Sequence, residues 1–349
     1  MRIAHVTDCY LPRTGGIELQ VRDLAARQRA AGHQVQVLTN TAGPDQPHVQ
    51  RLDSSRQLRA TLQGGAVDAV HAHSSLVSPF AWTGAAAGSA LGLPTVVTMH
   101  SVPPAGPVLW AAGLLAGWRR WDVHWTAVSD VAAKPLRAML PGQRVSLLHN
   151  GIDADAWRLP QRLERLDELT VVSVMRLAQR KRPMALLRVL EQVRAQLPEH
   201  VRLRAVVVGE GPRRPAMEQT LRRRGMAGWV DLPGQCTREE IRALYLQADL
   251  YLAPATLESF GIAALEARCA GLPVVAMACG GVREFVRHGV EGFLVGSDAD
   301  MASVTARLLA DPLALDAVRE HNSTTAPSMT WDHVLARSLQ LYGVSASRS

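Results

Sequence analysis

Two glutamates, Glu258 and Glu266, lie eight positions apart in the segment ESFGIAALE. Glu258 follows the apolar run at 250–254, so we expect it in a loop beyond the carboxyl end of a strand, where open α/β sheets bind ligands. A helix should begin directly after it, and the free N–H groups of its first turn can bind an anion or a hydroxyl. The residues at this helix start are Ser259, Phe260, Gly261 and Ile262. Glu266, about two turns further on, would then reach a ribose while Glu258 reaches a sugar, an arrangement that suits a nucleotide sugar.

The context of the two glutamates also carries a family resemblance. With Ser-Phe-Gly after Glu258 and the segment GLPVVA following at 271–276, the pattern resembles the retaining GT-B-fold glycosyltransferases of the family 4, group 1 type. The resemblance extends over nearly the whole chain and implies that Glu258 holds sugar hydroxyls. Taken alone, the spacing would indicate only an amphipathic helix with two solvated glutamates.

A basic loop follows the apolar run at 170–174 and holds Arg176 and Lys181 before a helix predicted near Pro183. The resemblance implies that this pair binds the donor diphosphate, because cations neutralise the charge that a nucleoside diphosphate gains as it leaves. Lys134 and Lys181 are the only lysines in the chain, so lysine at this position stands out. A solvated basic loop is the alternative, and we prefer it for Arg180 and Arg182.

Three glycine turns follow other predicted strands. Gly15 and Gly16 open a helix after the first strand, and they resemble the family's amino-terminal glycine loop beside the reacting sugar. Gly209 and Glu210 end the run VVVGEGP and resemble the loop beside the base and ribose, although an ordinary strand-to-helix turn would look the same. The diglycine at 280–281 resembles a loop that lines the diphosphate pocket.

One histidine ends a predicted strand at a ligand-binding position. His100 follows the strand 95–99 and matches the family's histidine that contacts the donor sugar. The resemblance therefore implies a catalytic site that contains Glu258, Arg176, Lys181 and His100. No separate general base is assigned.

Several acidic and histidine pairs imitate metal sites. Asp153 with Asp155, and Asp298 with Asp300, look like the aspartate pair of a different glycosyltransferase fold, but the first follows a predicted hinge and the second starts a helix. The run His71-Ala-His73 shows no third ligand in the sequence. We therefore predict no metal and no cofactor other than the nucleotide sugar, which is a co-substrate.

Strand-like and helix-like segments alternate twice along the chain, which is typical of α/β doubly wound parallel sheets. We predict a Rossmann-like acceptor-side domain at 1–155 and a Rossmann-like nucleotide-sugar domain at 156–327. A last helix at 328–349 is expected to cross back to the first domain, and the resemblance implies a GT-B cleft between the two halves. At 349 residues, two domains are also expected from size. The motif NGID at 150–153 is expected to shape the hinge.

Composition predicts a cytoplasmic protein that binds anions. Hydrophobic residues make up 47% and charged residues 20%, which disfavours disorder, and the four cysteines lack disulfide or zinc spacing. The formal charge of +7 favours phosphorylated ligands or anionic lipid, whereas no nucleic-acid-binding motif accompanies it. The uncharged stretch 74–99 is broken by proline and glycine, so we predict a buried helix and strand rather than a membrane span.

The segment 107–121 combines apolar residues with Trp110, Trp118, Trp121, Arg119 and Arg120. This composition fits peripheral contact with an anionic membrane at its inner face, and equally a buried helix with a basic end.

The resemblance implies a hexosyltransferase that moves a hexose-type sugar from a nucleoside-diphosphate sugar to a hydroxyl acceptor, either lipid-linked or small. A sugar phosphorylase, a nucleotide-sugar epimerase and a catalytically silent nucleotide-sugar-binding protein are the alternatives.

Overall fold

A computed structural model describes residues 1–13, 15–75, 77–102, 113, 117–160 and 168–343. The chain divides into two compact units. Unit 1 comprises Met1–Gly151 with Met329–Ser349, and unit 2 comprises Ile152–Ser328. These bounds differ by only a few residues from the domain boundaries that the sequence predicts at 155/156 and 327/328.

Unit 1 is a parallel sheet of seven strands with helices between them. The sheet order is β3-β2-β1-β4-β5-β6-β7. The elements are β1 Arg2–Thr7, α1 Gly16–Ala30, β2 Gln34–Thr39, β3 Val49–Arg51, α2 Ser55–Gln63, β4 Ala69–Ser74, α3 Pro79–Ala90, β5 Thr95–Met99, β6 His124–Ala127, α4 Asp130–Met139 and β7 Val145–Leu147. The stretch 74–99 thus contains α3 and β5, as the sequence predicts.

Unit 2 repeats this scheme with six parallel strands in the order β10-β9-β8-β11-β12-β13. Its elements are α5 Ala154–Trp157, β8 Glu168–Val174, α6 Pro183–Gln196, β9 Arg202–Val208, α7 Arg214–Arg223, β10 Val230–Gly234, α8 Arg238–Gln247, β11 Leu250–Ala253, α9 Ile262–Cys269, β12 Val274–Met277, β13 Gly292–Val295, α10 Asp298–Ala310 and α11 Pro312–Thr324. Both units are therefore Rossmann-like doubly wound sheets.

The last helix, α12 Trp331–Leu341, belongs to unit 1. Trp331, Val334 and Leu341 share an apolar cluster with Ile3 of β1 and with the buried face of α1. A Cβ added to Gly151 would lie 2.4 Å from the Trp331 ring, so the glycine of the NGID motif makes room for this helix.

Each sheet has one point at which its strand order reverses. In unit 1 it lies between β1 and β4, and in unit 2 between β8 and β11. Loops that leave the carboxyl ends of two such strands diverge to opposite faces of the sheet, and the crevice between them is where doubly wound sheets bind ligands. The predicted site residues of unit 2 lie in and beside these loops.

Among the residues that the structure describes, no helix combines the length and the apolar composition needed to cross a bilayer. Most of the segment 107–121, including Trp110, lies outside the described residues. Trp118 is described and is 1% exposed, and its ring contacts Trp82 and Trp125. Core packing therefore accounts for one of the tryptophans that suggested a membrane surface, while Arg119 and Arg120 are exposed.

Candidate active site

Lys181 and Glu258 form an ion pair between the two loops of the unit 2 crevice. Lys181 lies in the loop that follows β8, and Glu258 in the loop that follows β11. The side chains are 20% and 17% exposed, so the pair is shielded but open to a ligand. The two residues that the resemblance assigns to the diphosphate and to the sugar are thus brought into direct contact.

The loop that carries Glu258 is held against the diglycine at 280–281. The Gly281 N–H donates to the Glu258 carbonyl over 2.8 Å. A Cβ on Gly281 would lie 2.3 Å from the carbonyl oxygen of Ser259, a distance that no side chain tolerates. Glycine at 281 therefore permits the close backbone approach that positions Glu258.

Helix α9 begins at the predicted place, with Gly261 as its N-cap in a left-handed conformation (φ 95°). Ser259, Gly261 and Ile262 are partly exposed around this helix start. Phe260 differs, because its side chain is 1% exposed and its ring packs on Phe285 at 5.5 Å between centroids. The Phe260 side chain therefore belongs to the core, and only its backbone is available to a donor.

Glu266 lies in α9 and is partly buried. Its carboxylate makes no hydrogen bond or ion pair with the residues that the structure describes. Burial raises the pKa of Glu266 to about 8, and the nearby charge of Arg238 opposes this only in part. A desolvated carboxyl with unused hydrogen-bonding capacity is suited to ligand hydroxyls.

The loops after β8 and β9 are fastened to each other. The Leu177 N–H donates to the Glu210 carbonyl over 2.8 Å. Gly209 has φ 135°, and a Cβ there would lie 1.9 Å from the Met175 carbonyl oxygen. Predicted site residues Gly209 and Glu210 thus hold the backbone beside Arg176, although the Glu210 side chain itself is exposed and paired with Arg214.

Arg176 is exposed and forms no ion pair within the described ranges, so its guanidinium is available to a diphosphate. The interpretation of Arg182 as a solvated residue was wrong. Its guanidinium donates to the Pro254 carbonyl over 3.0 Å and to Asp298 over 2.8 Å. Arg182 therefore joins the β8 loop to the end of β11 and, through Asp298, to α10.

In unit 1, Gly15 is the N-cap of α1, and Gly16 is its first residue. A Cβ on Gly15 would lie 2.5 Å from the carboxylate of Glu18, which is buried and forms an ion pair with Arg13 at 3.2 Å. The glycine loop therefore accommodates a buried acidic residue as well as opening the helix.

His100 lies one residue beyond β5 and is 9% exposed. Its Nε2 is 3.0 Å from Nδ1 of His73. Burial lowers the pKa of His100 to about 4, so the ring is neutral at pH 7.

A third histidine, which the sequence did not reveal, lies beside His71 and His73. His5 of β1 lies beside them, and the three rings place nitrogen atoms within 4.8 Å of one another. Every ring nitrogen of these three histidines already has a hydrogen-bond partner. The geometry is that of a hydrogen-bonded network, and only the pairing of β1 with β4 could have indicated His5.

Two family descriptions match consecutive parts of the chain. "Glycosyltransferase Family 4" matches residues 14–156, and "Glycosyl transferases group 1" matches residues 155–324. The D-inositol 3-phosphate glycosyltransferase of Thermobispora bispora is 28% identical, over 96% of this chain and 91% of that protein. The phosphatidylinositol N-acetylglucosaminyltransferase gpi3 subunit of Schizosaccharomyces pombe is 27% identical, over 88% of this chain and 73% of that protein.

Solved structures show the same fold. HepE of Anabaena in complex with UDP superposes with a TM-score of 0.81 at 21% identity, covering 98% of this chain and all of that one (100%). The lipopolysaccharide glycosyltransferase WaaG superposes with a TM-score of 0.74 at 19% identity, covering 99% and 100% of the two chains. The two matched segments together span residues 14–324. The chain belongs to the group 1 glycosyltransferases of the family 4 type, with the GT-B fold.

Proposed function

We propose that this glycosyltransferase moves a hexose-type sugar from a nucleoside-diphosphate sugar to a hydroxyl acceptor and retains the anomeric configuration. The observation that carries the proposal is the Lys181–Glu258 pair in the crevice of unit 2, beside the N-terminus of α9 and Glu266. The neighbours HepE with UDP and HepE with UDP-glucose, named for those ligands, support a nucleotide-sugar donor.

The site supplies cations where the leaving group gains charge. Lys181 and Arg176 lie in the same loop, five positions apart, and both face a diphosphate in this proposal. Breaking the glycosidic bond leaves a nucleoside diphosphate with an added negative charge, which fixed cations and helix N–H groups stabilise. Glu258 accepts hydrogen bonds from sugar hydroxyls, and Glu266 accepts them from the ribose.

Retention is what the resemblance implies, and the surroundings of Glu258 bear on the route by which it is achieved. A double displacement would need a carboxylate placed to attack the sugar, and the Glu258 carboxylate is already occupied by Lys181. We therefore propose front-face transfer, in which the leaving phosphate oxygen accepts the proton of the acceptor hydroxyl. The protein then contributes positioning and electrostatic stabilisation of an oxocarbenium-like state.

The acceptor class is the least constrained part of the proposal. Two relatives are named for inositol-bearing acceptors, one a phosphorylated sugar alcohol and one a lipid. D-inositol 3-phosphate and phosphatidylinositol are therefore the first acceptors to test, alongside simple glycosides.

A donor panel tests the proposal directly. Thermal unfolding is measured with UDP-, GDP- and ADP-sugars, because a ligand at about a hundred times its dissociation constant stabilises the fold by roughly 2.7 kcal/mol. One nucleotide series should raise the Tm, and the Lys181→Ala variant should lose most of that shift. The stabilising donor is then incubated with the acceptors.

The alternatives give different products in the same assay. Sugar 1-phosphate formed from added phosphate would indicate a phosphorylase, and conversion of the donor to its epimer without an acceptor would indicate an epimerase. Donor binding without any turnover would indicate a silent binding protein. A panel in which no nucleotide sugar stabilises the chain would overturn the proposal.

A further inference from the structure

Four histidines lie together on one buried face of the unit 1 sheet. His5 of β1 pairs in register with His71 of β4, and His73 pairs with Thr98 of β5. His100 follows β5 directly. The family resemblance assigns a role only to His100, as a contact to the donor sugar, and burying three further imidazoles in a core is costly unless their polar atoms are paired.

One line of hydrogen bonds runs from Gln28 to His100. Gln28 Oε1 of α1 is 2.7 Å from His5 Nε2. His5 Nδ1 is 2.8 Å from His73 Nε2, and His73 Nδ1 is 3.0 Å from His100 Nε2. His100 Nδ1 makes no hydrogen bond with the residues that the structure describes.

All four rings are neutral near pH 7. Burial lowers the pKa of His5 and of His100 to about 4, and it lowers the pKa of His71 and His73 well below the usual value. A neutral imidazole has one N–H donor and one acceptor nitrogen. The direction of one link therefore fixes the direction of every link after it.

Gln28 fixes the first link, because an amide oxygen only accepts. His5 must donate from Nε2 and accept at Nδ1. His73 then donates from Nε2 and accepts at Nδ1, so His100 must donate from Nε2.

The orientation of the Gln28 amide is set by its other contacts. Its Nε2 is 3.2 Å from Ser338 Oγ and 3.2 Å from the Tyr342 hydroxyl. Ser338 Oγ itself donates to the Leu335 carbonyl over 2.8 Å, so it accepts from Gln28.

A second branch runs in a consistent direction. The Tyr342 hydroxyl is 2.6 Å from His71 Nδ1, and His71 Nε2 is 2.7 Å from Thr98 Oγ1. Thr98 is 2.7 Å from Thr126, whose hydroxyl donates to the Val97 carbonyl over 3.1 Å. This branch therefore ends on the Val97 carbonyl, and the link from Gln28 through Ser338 ends on the Leu335 carbonyl, both of which can only accept.

We infer that Gln28, His5 and His73 are positioning residues that hold His100 as the Nε2–H tautomer and leave Nδ1 as a hydrogen-bond acceptor. This rests on the proposed function, with His100 facing the donor sugar as the resemblance implies, and it means that the sugar atom facing His100 is a hydroxyl that donates its hydrogen. An ether oxygen or a carboxylate at that place would meet a lone pair and be rejected.

A metal site is the competing use of the same side chains. Two nitrogens on one tetrahedral zinc, each bound at about 2.0–2.1 Å, lie roughly 3.3 Å apart. His5 Nδ1 and His73 Nε2 are 2.8 Å apart, which is a hydrogen-bond length. Metal binding would also break the contacts with Gln28, Tyr342 or Thr98.

Nitrogen NMR of protein labelled with ¹⁵N-histidine tests the inference in the free protein, without donor or acceptor. Long-range ¹H–¹⁵N correlation distinguishes the protonated from the unprotonated ring nitrogen, and the His100→Gln and His73→Gln spectra assign the signals. We expect His5, His71, His73 and His100 all to be single Nε2–H tautomers at pH 7. A His100 ring protonated on Nδ1, or an averaged mixture, would overturn the inference whether or not the protein transfers sugar.

Two variants test the role of Gln28, which fixes the direction of the chain. Gln28→Met removes the accepting oxygen and keeps a side chain of similar length. His100 should then lose its single tautomer, and kcat/KM should fall about tenfold. Ser338→Ala is the matched control, since it removes a buried partner of the Gln28 amide but keeps the oxygen that contacts His5. The tautomer should survive in this control.

Three results would contradict the role assigned to Gln28, His5 and His73. They are an unchanged His100 tautomer in Gln28→Met, a lost tautomer in Ser338→Ala, and stoichiometric Zn²⁺ binding that shifts the His5 and His73 signals. If Gln28→Met does not fold, the wild-type spectrum still decides the tautomer.

Discussion

Lys181 and Glu258 are 77 positions apart in sequence, yet they form a shielded ion pair. Their loops meet because β8 and β11 are neighbours at the point where the strand order of unit 2 reverses. In the proposed function, a donor that enters this crevice would place its diphosphate beside a lysine that already contacts Glu258. The proposal therefore couples diphosphate binding to sugar positioning through this one contact.

The first prediction concerns these two side chains. Lys181→Ala and Glu258→Ala should each lower the transfer rate at least a hundredfold, which corresponds to roughly 3 kcal/mol of transition-state stabilisation. Steady-state kinetics with the donor found in the thermal panel measures the effect. Circular dichroism and Tm should remain near those of the wild type, since both side chains are partly exposed.

Arg180→Ala is the matched control for Lys181→Ala. Arg180 is exposed and directly adjacent to Lys181. The substitution therefore removes one positive charge from the same loop and leaves Glu258 and its partner in place. Its rate should change less than threefold, on the scale of an exposed charge. Equal losses in both variants would mean that the loop acts only through its net charge.

The second prediction follows from the raised pKa of Glu266, which is about 8 because of burial. Below pH 8 the carboxyl is mainly neutral, and above it the carboxylate can accept from both ribose hydroxyls. The affinity for the nucleotide should therefore increase about fivefold between pH 7 and pH 9, since a hydrogen bond to a charged group exceeds a neutral one by about 1 kcal/mol.

Isothermal titration of the nucleoside diphosphate at both pH values measures this change. Glu266→Gln should bind with an affinity that does not vary over the same range. An equal pH dependence in the variant would assign the titration to another group.

The strands could be predicted from sequence because each is a buried apolar run bounded by turn residues. β5 has the predicted bounds, and β11, Leu250–Ala253, lies within the apolar run at 250–254. β3 was missed because it is only three residues long, Val49–Arg51, and its side chains are not fully buried. Pairing with β2, rather than local hydrophobicity, makes it a strand.

The site could be predicted where residues are close in sequence, and not where the fold brings distant residues together. Glu258, α9 and Glu266 follow one another along the chain, so the sequence predicts their arrangement directly. The histidine chain joins α1, β1, β4 and the residue after β5, so no spacing in the sequence reveals it. Arg182 was misjudged for the same reason, because its partner Asp298 is 116 positions away.

The third prediction concerns acid stability. The folded pKa of His5, about 4, lies below its unfolded value of 6.5, so the unfolded chain binds more protons between these values. The stability is therefore complete above pH 6.5 and is lost as the pH falls toward 4. The free energy of unfolding should decrease by about 2 kcal/mol between pH 7 and pH 5 for such a histidine.

Urea unfolding at both pH values provides the measurement, and His5→Gln should show a smaller decrease. The exposed His124 is the control position, and His124→Gln should leave the slope unchanged. A His5→Gln variant with the wild-type slope would indicate that other groups control acid unfolding.

The fourth prediction concerns stereochemistry. The product should keep the anomeric configuration of the donor, because front-face transfer delivers the acceptor to the side that the diphosphate leaves. NMR of the new linkage formed from an α-linked donor decides the outcome. A β-linked product would exclude front-face transfer and require an acceptor hydroxyl activated on the opposite face.

The last prediction concerns contact with anionic membranes. Arg119 and Arg120 are exposed, whereas the neighbouring Trp118 is buried against Trp82 and Trp125. Any attraction to anionic lipid in this region should therefore depend on the arginines, at about 1 kcal/mol for each at low salt. Cosedimentation with phosphatidylserine vesicles should weaken when both are changed to glutamine and when salt is raised, because exposed charges are screened.

Trp118→Phe is the control, and it should lower the Tm without changing vesicle binding. Binding that is indifferent to salt and to both arginines would contradict this assignment, and absence of binding at low salt would favour a water-soluble acceptor.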